Sequence, residues 1–326
     1  MRIVAAAGFL VTVLFQACSG GGAGGEFTFT EPEAPPTPLA AGEGPAKTEP
    51  GRESPALGGG SRGCGTAQHG GDMIASVQSP DGDRSYRVHL PSGYNPSRPT
   101  PLVVNFHGSS KTALEQETYS GLVPFADREG FILVSPEGSG QPQEWEVVGV
   151  YGGAGIDDVE VTRKIVEATR AALCIDPRRI YATGHSNGGE MASQVGCYLS
   201  DIFAAVAPVS GVVYQGCDGR PMPVISLHGA VDYNVPFETA RPAMAEWATH
   251  NGCSTEQEIV PVAEHVWRES YRGCGGADVV LYVIDGGGHT WPDAADNAGG
   301  VGPTTHEVSA NALIWQFFAS HRLPTP

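Results

Sequence analysis

From residue 86 onward the chain alternates short apolar runs with stretches in which apolar positions recur every three or four residues. The runs YRVHLP (86–91), PLVVNFHG (101–108), FILVSPEG (131–138), RIYATG (179–184), FAAVAPVSG (203–211), PVISLHG (223–229) and VVLYVIDGGG (279–288) predict strands. Several are continuously apolar rather than alternating, which marks strands covered on both faces. Residues 157–172 carry Val159, Ile165, Val166 and Thr169 at helical spacing behind Asp157 and Asp158, whose charges suit a helix N-terminus. Residues 187–199, 239–250 and 308–320 read as helices as well. Strands alternating with helices imply a mainly parallel central sheet with right-handed crossovers, a three-layer α/β domain.

The N-terminus has a different pattern. In residues 1–18, Arg2 precedes an apolar stretch from Ile3 to Phe15, too short for a permanent membrane span and suited to an export signal. Ala17 and Cys18, followed by Ser19 and three glycines, resemble the lipobox of bacterial lipoproteins, although Phe15 and Gln16 stand where that motif carries leucine and a small residue. Cys18 is therefore expected to carry a lipid, with ordinary cleavage near Ala17 as the alternative. Residues 19–62 hold 11 Gly and 7 Pro and no hydrophobic period, too little apolar surface to offset chain entropy. They read as a disordered tether that lets one folded domain, residues 63–326, stand off a membrane.

Charge and cysteine usage narrow the function. With 19 Lys+Arg against 36 Asp+Glu and a net charge of −17, the chain repels polyanions, so nucleic acid is excluded as a partner and an uncharged substrate fits. Apart from Cys18 there are six cysteines, an even number in an exported chain, and three disulfides are expected. Their spacing contains no zinc-type pair, and no metal or cofactor is expected. A monomer is expected.

Candidate chemistry concentrates at residues 184–188. Gly184-His185-Ser186-Asn187-Gly188 is a GxSxG turn between a predicted strand and a predicted helix, the arrangement of a nucleophile elbow. Glycines two before and two after the serine remove side chains that would collide with the neighbouring strand and helix. A serine hydroxyl needs a base and an orienting acid, which in this topology follow in the order acid, then histidine, each after a strand. Asp232 in VISLHGAVDYNVP and His289 in LYVIDGGGHTWP occupy those places. Asp285 and Asp218 are weaker rivals for the acid. His107 and His228 lie in His-Gly turns and read as backbone-organising, while His185 is expected to point away from the serine. The oxyanion hole is assigned to the backbone N–H groups of Ser109, after the strand VVNFHG, and of Asn187.

Together YRVHLPSGYNPSRPTPLVVNFHG, GFILVSPEG, CIDPRRIYATGHSNGGEMA, FAAVAPVSG, HGAVDYNVPF and GGGHTWP resemble the secreted esterases grouped with polyhydroxybutyrate depolymerases and feruloyl esterases of the carbohydrate esterase family 1 type. The resemblance covers roughly residues 63–322 and implies an α/β-hydrolase fold, a serine esterase activity, and the triad Ser186, Asp232 and His289. His185 departs from the apolar residue or methionine common in relatives. The substrate it implies is a feruloyl ester of plant cell-wall polysaccharide, with a hydroxybutyrate polyester or an acetyl ester as alternatives. Trp145, Tyr233 and Trp291 are expected to wall the site for a cinnamoyl ring. A surface lipoprotein that binds carbohydrate on the same scaffold without turnover is the non-enzymatic alternative.

Fold geometry suggests a disulfide map. Cys174 precedes the strand that carries Ser186, and Cys197 lies about 16 Å down the following helix, so both fall at the sheet end away from the site and are expected to pair. Cys253 and Cys274 flank an insertion that a bridge can close. Cys217, placed on the catalytic side, is left to Cys64, although spacing leaves an exchange of partners between this pair and Cys174–Cys197 open.

Overall fold

The computed structural model describes residues 60–68, 70–80, 82–148, 156–295 and 299–324. The expected export segment, Cys18 and the tether up to residue 59 lie outside the described residues.

The strands are β1 (Gly71–Ser79), β2 (Gly82–Leu90), β3 (Thr100–Phe106), β4 (Ile132–Pro136), β5 (Ile175–His185), β6 (Ala205–Val209), β7 (Val224–Gly229), β8 (Gln257–Ala263), β9 (Val266–Tyr271) and β10 (Val279–Ile284). The helices are α1 (Ala113–Ser120), α2 (Leu122–Glu129), α3 (Ile156–Ala172), α4 (Asn187–Tyr198), α5 (Ala240–His250) and α6 (Ala310–Ser320). All ten strands form one sheet in the order β1-β2-β4-β3-β5-β6-β7-β10-β9-β8. The six from β4 to β10 are parallel, and an antiparallel pair extends each edge.

The continuous apolar runs are explained by two cores, one on each face. Along β3, Leu102, Val104 and Phe106 join a core with Ile165 of α3, Val195 of α4 and Trp247 of α5. Val103 turns to the opposite face, where Tyr119 of α1, Phe125 of α2 and Phe318 of α6 pack. A strand buried on both faces loses the polar alternation of a one-sided strand, as its sequence anticipates.

Five elements lie outside the sequence expectations: α1, α2, β1 and the two strands of the β8–β9 hairpin. Residues 60–62, expected in the tether, also belong to the folded edge. Ser61 N–H donates to Ile175 O (3.0 Å), and Ile175 N–H donates to Ser61 Oγ (2.9 Å).

The disulfides are Cys64–Cys174, Cys197–Cys217 and Cys253–Cys274. The last matches the expected pair; Cys174–Cys197 and Cys64–Cys217 do not form. Cys174 does lie at the sheet end away from Ser186, but there the N-terminal segment runs alongside it, with Gly63 N–H donating to Arg170 O (3.1 Å). The error concerns Cys217. The connection from β6 to β7 carries no helix, and extended chain advances about 3.3 Å per residue where a helix advances about 1.5 Å. The few residues from Gly211 to Cys217 therefore travel as far as α4 does from Ser186 to Cys197. Successive contacts trace the path: Gly211 lies against the Ser186 carbonyl, Val213 N–H reaches Ser193 Oγ (3.3 Å), and Gly219 lies against Ser200.

Candidate active site

Ser186 sits between β5 and α4 with φ 58° and ψ −127°, a strained positive-φ conformation outside the left-handed helical region that an L-residue adopts only when its surroundings over-determine it. Here they do. A Cβ on Gly184 would collide with the Gly188 carbonyl, and one on Gly188 with the carbonyls of Phe106 and His107. Ser186 N–H donates to Val209 O (3.0 Å), and its carbonyl accepts from Gly189 N–H (2.7 Å) and Glu190 N–H (3.0 Å). The side chain stays partly exposed. Among the described residues its hydroxyl has no hydrogen-bond partner, so a serine-to-histidine bond is not preformed; such contacts commonly tighten only around substrate.

Asp232 and His289 come from the loops after β7 and β10, which are laced together. Ala230 N–H donates to Ile284 O (2.8 Å), Val231 N–H donates to Gly287 O (2.9 Å), and Gly229 is packed so tightly that a Cβ would strike the Gly287 and Gly288 carbonyls. His289 Nδ1 lies 2.7 Å from Asp232 Oδ2, both side chains buried. Asp232 Oδ1 accepts from the N–H groups of Asn234 (2.9 Å) and Val235 (3.0 Å). Burial pushes the Asp232 carboxyl up, but hydrogen bonds from His228 and His289, the His289 charge and the Val235 N–H together outweigh it and hold the carboxyl well below the usual range. The ionised carboxylate assigns the proton of His289 to Nδ1 and leaves Nε2 bare as an acceptor.

His185 does not turn away from this pair. Its ring centroid is 4.6 Å from that of His289, and Tyr119 meets it edge-on at 5.4 Å. Burial, followed by the neighbouring His289, pushes its pKa well below the ordinary histidine value, so a neutral ring backs the base.

The loop after β3 passes directly beside the elbow: a Cβ on Gly108 would lie 3.4 Å from that of Ser186. His107 fixes the loop. Its Nε2 accepts Gly138 N–H (2.8 Å), and its Nδ1 donates to Gly108 O (2.8 Å). Ser109 follows, half-buried, and the N–H of Asn187 opens α4 with no intrahelical acceptor. Both expected oxyanion donors thus belong to segments that meet at Ser186. The Asn187 side chain points elsewhere and ties α4 to the segment around Trp145. Its Oδ1 accepts Trp145 N–H (2.7 Å), and its Nδ2 donates to Trp145 O (3.2 Å) and Glu190 Oε2 (3.1 Å).

The expected aromatic wall is not formed. Trp145 is 3% exposed, its Nε1–H donated to His107 O (2.8 Å) and its ring edge-on to Phe106. Trp291 is 1% exposed and donates through Nε1 to Asn311 Oδ1 (3.0 Å). Both rings are packed into the interior. Tyr233, 88% exposed, is the one of the three available to a ligand. Sequence reasoning passed over Asn187 as a side chain and Glu190 as a buried carboxyl pushed up by its burial; the signal for both was their position in the first turn after the serine.

Among the described residues no group of three or more His, Cys, Asp or Glu side chains is arranged to hold a metal ion.

Residues 84–236 match the family described as Esterase PHB depolymerase. Feruloyl esterase B of Piromyces equi is 33% identical over 235 residues, which are 64% of this chain and 43% of that protein, so the chain spans less than half of it. A probable feruloyl esterase C of Aspergillus oryzae is 30% identical over 248 residues, 72% of this chain and 84% of that protein. Among solved structures, an acetyl xylan esterase from Aspergillus awamori superposes with a TM-score of 0.59 at 15% identity, over 76% of this chain and 99% of that one. That likeness shows the fold, an α/β-hydrolase.

Proposed function

The chain belongs to the PHB depolymerase and feruloyl esterase family of carboxylic ester hydrolases, and we propose that it cleaves feruloyl and related hydroxycinnamoyl esters of plant cell-wall polysaccharide with Ser186 as nucleophile. Ser186 Oγ attacks the ester carbonyl while His289 Nε2 takes its proton, and Asp232 holds the imidazole and balances its charge. The N–H groups of Ser109 and Asn187 receive the developing oxyanion. His289 then returns the proton to the leaving alcohol oxygen. Water, deprotonated by the same nitrogen, attacks the acyl-serine; the bond from the acyl carbon to Ser186 Oγ breaks, His289 passes the proton to Oγ, and the acid is released. The observation that carries this reading is the 2.7 Å contact of His289 Nδ1 with Asp232 Oδ2 on loops laced together, in a chain whose Ser186 is held at positive φ in a strand-to-helix elbow.

The decisive experiment compares wild type with Ser186→Ala on p-nitrophenyl acetate, methyl ferulate and hydroxybutyrate oligomers, alongside labelling by a fluorophosphonate. Wild type is expected to label and to favour methyl ferulate, and Ser186→Ala to lose at least about 10³-fold in kcat and all labelling. Equal labelling of both chains would overturn the role of Ser186; turnover of the oligomers but not of methyl ferulate would overturn the substrate.

The three disulfides fit an extracytoplasmic protein. We further propose a lipid on Cys18 as the anchor: Cys18→Ala is expected to move the enzyme from the membrane fraction to the soluble one, and a wild type already wholly soluble in its host would refute the anchor.

A further inference from the structure

We propose that His228 is a positioning residue for the acid of this site, its Nε2–H anchored on the Val235 carbonyl and set beside the Asp232 carboxylate oxygen that His289 also approaches. The proposal rests on the reading of Asp232 and His289 as acid and base. His228 is the penultimate residue of β7, wholly buried. Its Nε2 lies 2.9 Å from Val235 O and 3.4 Å from Asp232 Oδ2, the oxygen that His289 Nδ1 approaches to 2.7 Å. Both neighbours of Nε2 are acceptors, so that nitrogen carries the proton. One ring thereby ties down the turn from Asp232 to Val235, because Val235 returns its own N–H to Asp232 Oδ1 (3.0 Å).

The other ring nitrogen shows that the arrangement carries a cost. Among the described residues, Nδ1 of His228 is buried with no hydrogen-bond partner, while the ring packs edge-on to Phe237 at 5.8 Å. An apolar side chain would fill this volume without stranding an acceptor. A histidine is useful here for the single proton it donates. With His289 Nδ1 bonded to Oδ2 and the positive end of the His228 N–H dipole 3.4 Å from the same oxygen, the carboxylate is steadied in rotation and its charge is shared between two imidazoles. Remove one donor and the carboxylate turns more freely and leans its whole charge on His289. The remaining titratable groups facing the pair are His185 from β5, against the His289 ring, and Glu190 from α4.

The test compares His228→Leu, which cannot donate, with His228→Gln, which can, using p-nitrophenyl butyrate across pH 5 to 9. Rates are expressed per active site titrated with a fluorophosphonate, which removes any difference in folded fraction. His228→Leu is expected to lose on the order of 10²-fold in kcat with KM little changed, and to move the acid limb of its pH profile to higher pH. His228→Gln is expected to recover most of the rate and the wild-type limb. A leucine chain with wild-type kcat per titrated site and an unmoved limb would overturn the proposal, as would a glutamine chain no better than leucine. If leucine yields no titratable sites, the glutamine chain decides: a wild-type limb and rate support the donated proton, and a displaced limb overturns it. Failure of wild type on methyl ferulate would refute the substrate reading and leave this comparison intact, whereas an active Ser186→Ala chain would refute the triad on which it rests.

Discussion

At the scale of single residues, the neighbourhood of each buried histidine sets what it can do. His289 is held by a carboxylate, His107 spans the Gly138 N–H and the Gly108 carbonyl, and His185 is packed against His289 with its Nε2 unpartnered among the described residues. Burial pushes the pKa of His107 and of His185 down. A histidine kept neutral in the folded state takes up a proton on unfolding once the pH falls below about 6.5, so the unfolded chain then binds more protons and stability falls with the pH. Glu137 and Glu190, pushed up by burial, act in the opposite sense as the medium grows more acid. A difference measurement separates these contributions. Between pH 7 and pH 5, wild type is expected to lose stability relative to His185→Phe, by up to about 1.4 kcal/mol per pH unit, read from denaturant midpoints. Parallel profiles for the two chains would show that His185 is not held neutral. Ser186, Asp232 and His289 could be proposed from the sequence because their residue types, order and glycine flanks are local; the contact of His185 with His289 could not, because it joins a strand end to a loop more than a hundred residues away.

At the scale of elements, the strands buried on both faces announced themselves, and the edges did not. Strand β1 alternates exposed with half-buried residues, and Ile74 on it is 72% exposed, so it offers no continuous apolar run. Helix α1 has few apolar positions, although its capping box between Thr112 and Glu115 was visible as Thr-x-x-Glu. Helix α2 carries Pro124, a residue tolerated there because its missing N–H falls in the first turn. The disulfides bind such edges to the body. Cys64–Cys174 pins the N-terminal segment to the start of β5 across a separation of 110 residues, and Cys197–Cys217 fastens the helix-free crossover to α4 across 20. Non-reduced peptide mapping is expected to recover these two pairs with Cys253–Cys274. On loop length alone, opening Cys64–Cys174 by double serine substitution should cost about 4.7 kcal/mol and opening Cys197–Cys217 about 3 kcal/mol. A linked peptide joining Cys174 to Cys197 would contradict the path described for residues 211–219.

For the molecule as a whole, the strand order assembles the site. β3 and β5 are neighbours, which brings the Ser109 loop to the elbow, and β7 and β10 are neighbours, which brings Asp232 to His289. β6 lies between the two pairs, and all the contributing loops leave the carboxyl ends of parallel strands, where α/β sheets collect their ligand sites. The net charge of −17 suits an uncharged ester and opposes polyanions. The amino-acid sequence by itself determined the fold class and the glycine-flanked turn at Ser186, and it pointed to Asp232 and His289 as candidates, because hydrophobic period, glycine placement and residue chemistry are properties of short segments. Only the tertiary structure decided which cysteines meet, that Trp145 and Trp291 are buried, and that His185 and His228 lie against His289 and Asp232. These depend on how far each connection travels and on which side chains two distant loops turn toward each other, and neither quantity is written in any single segment.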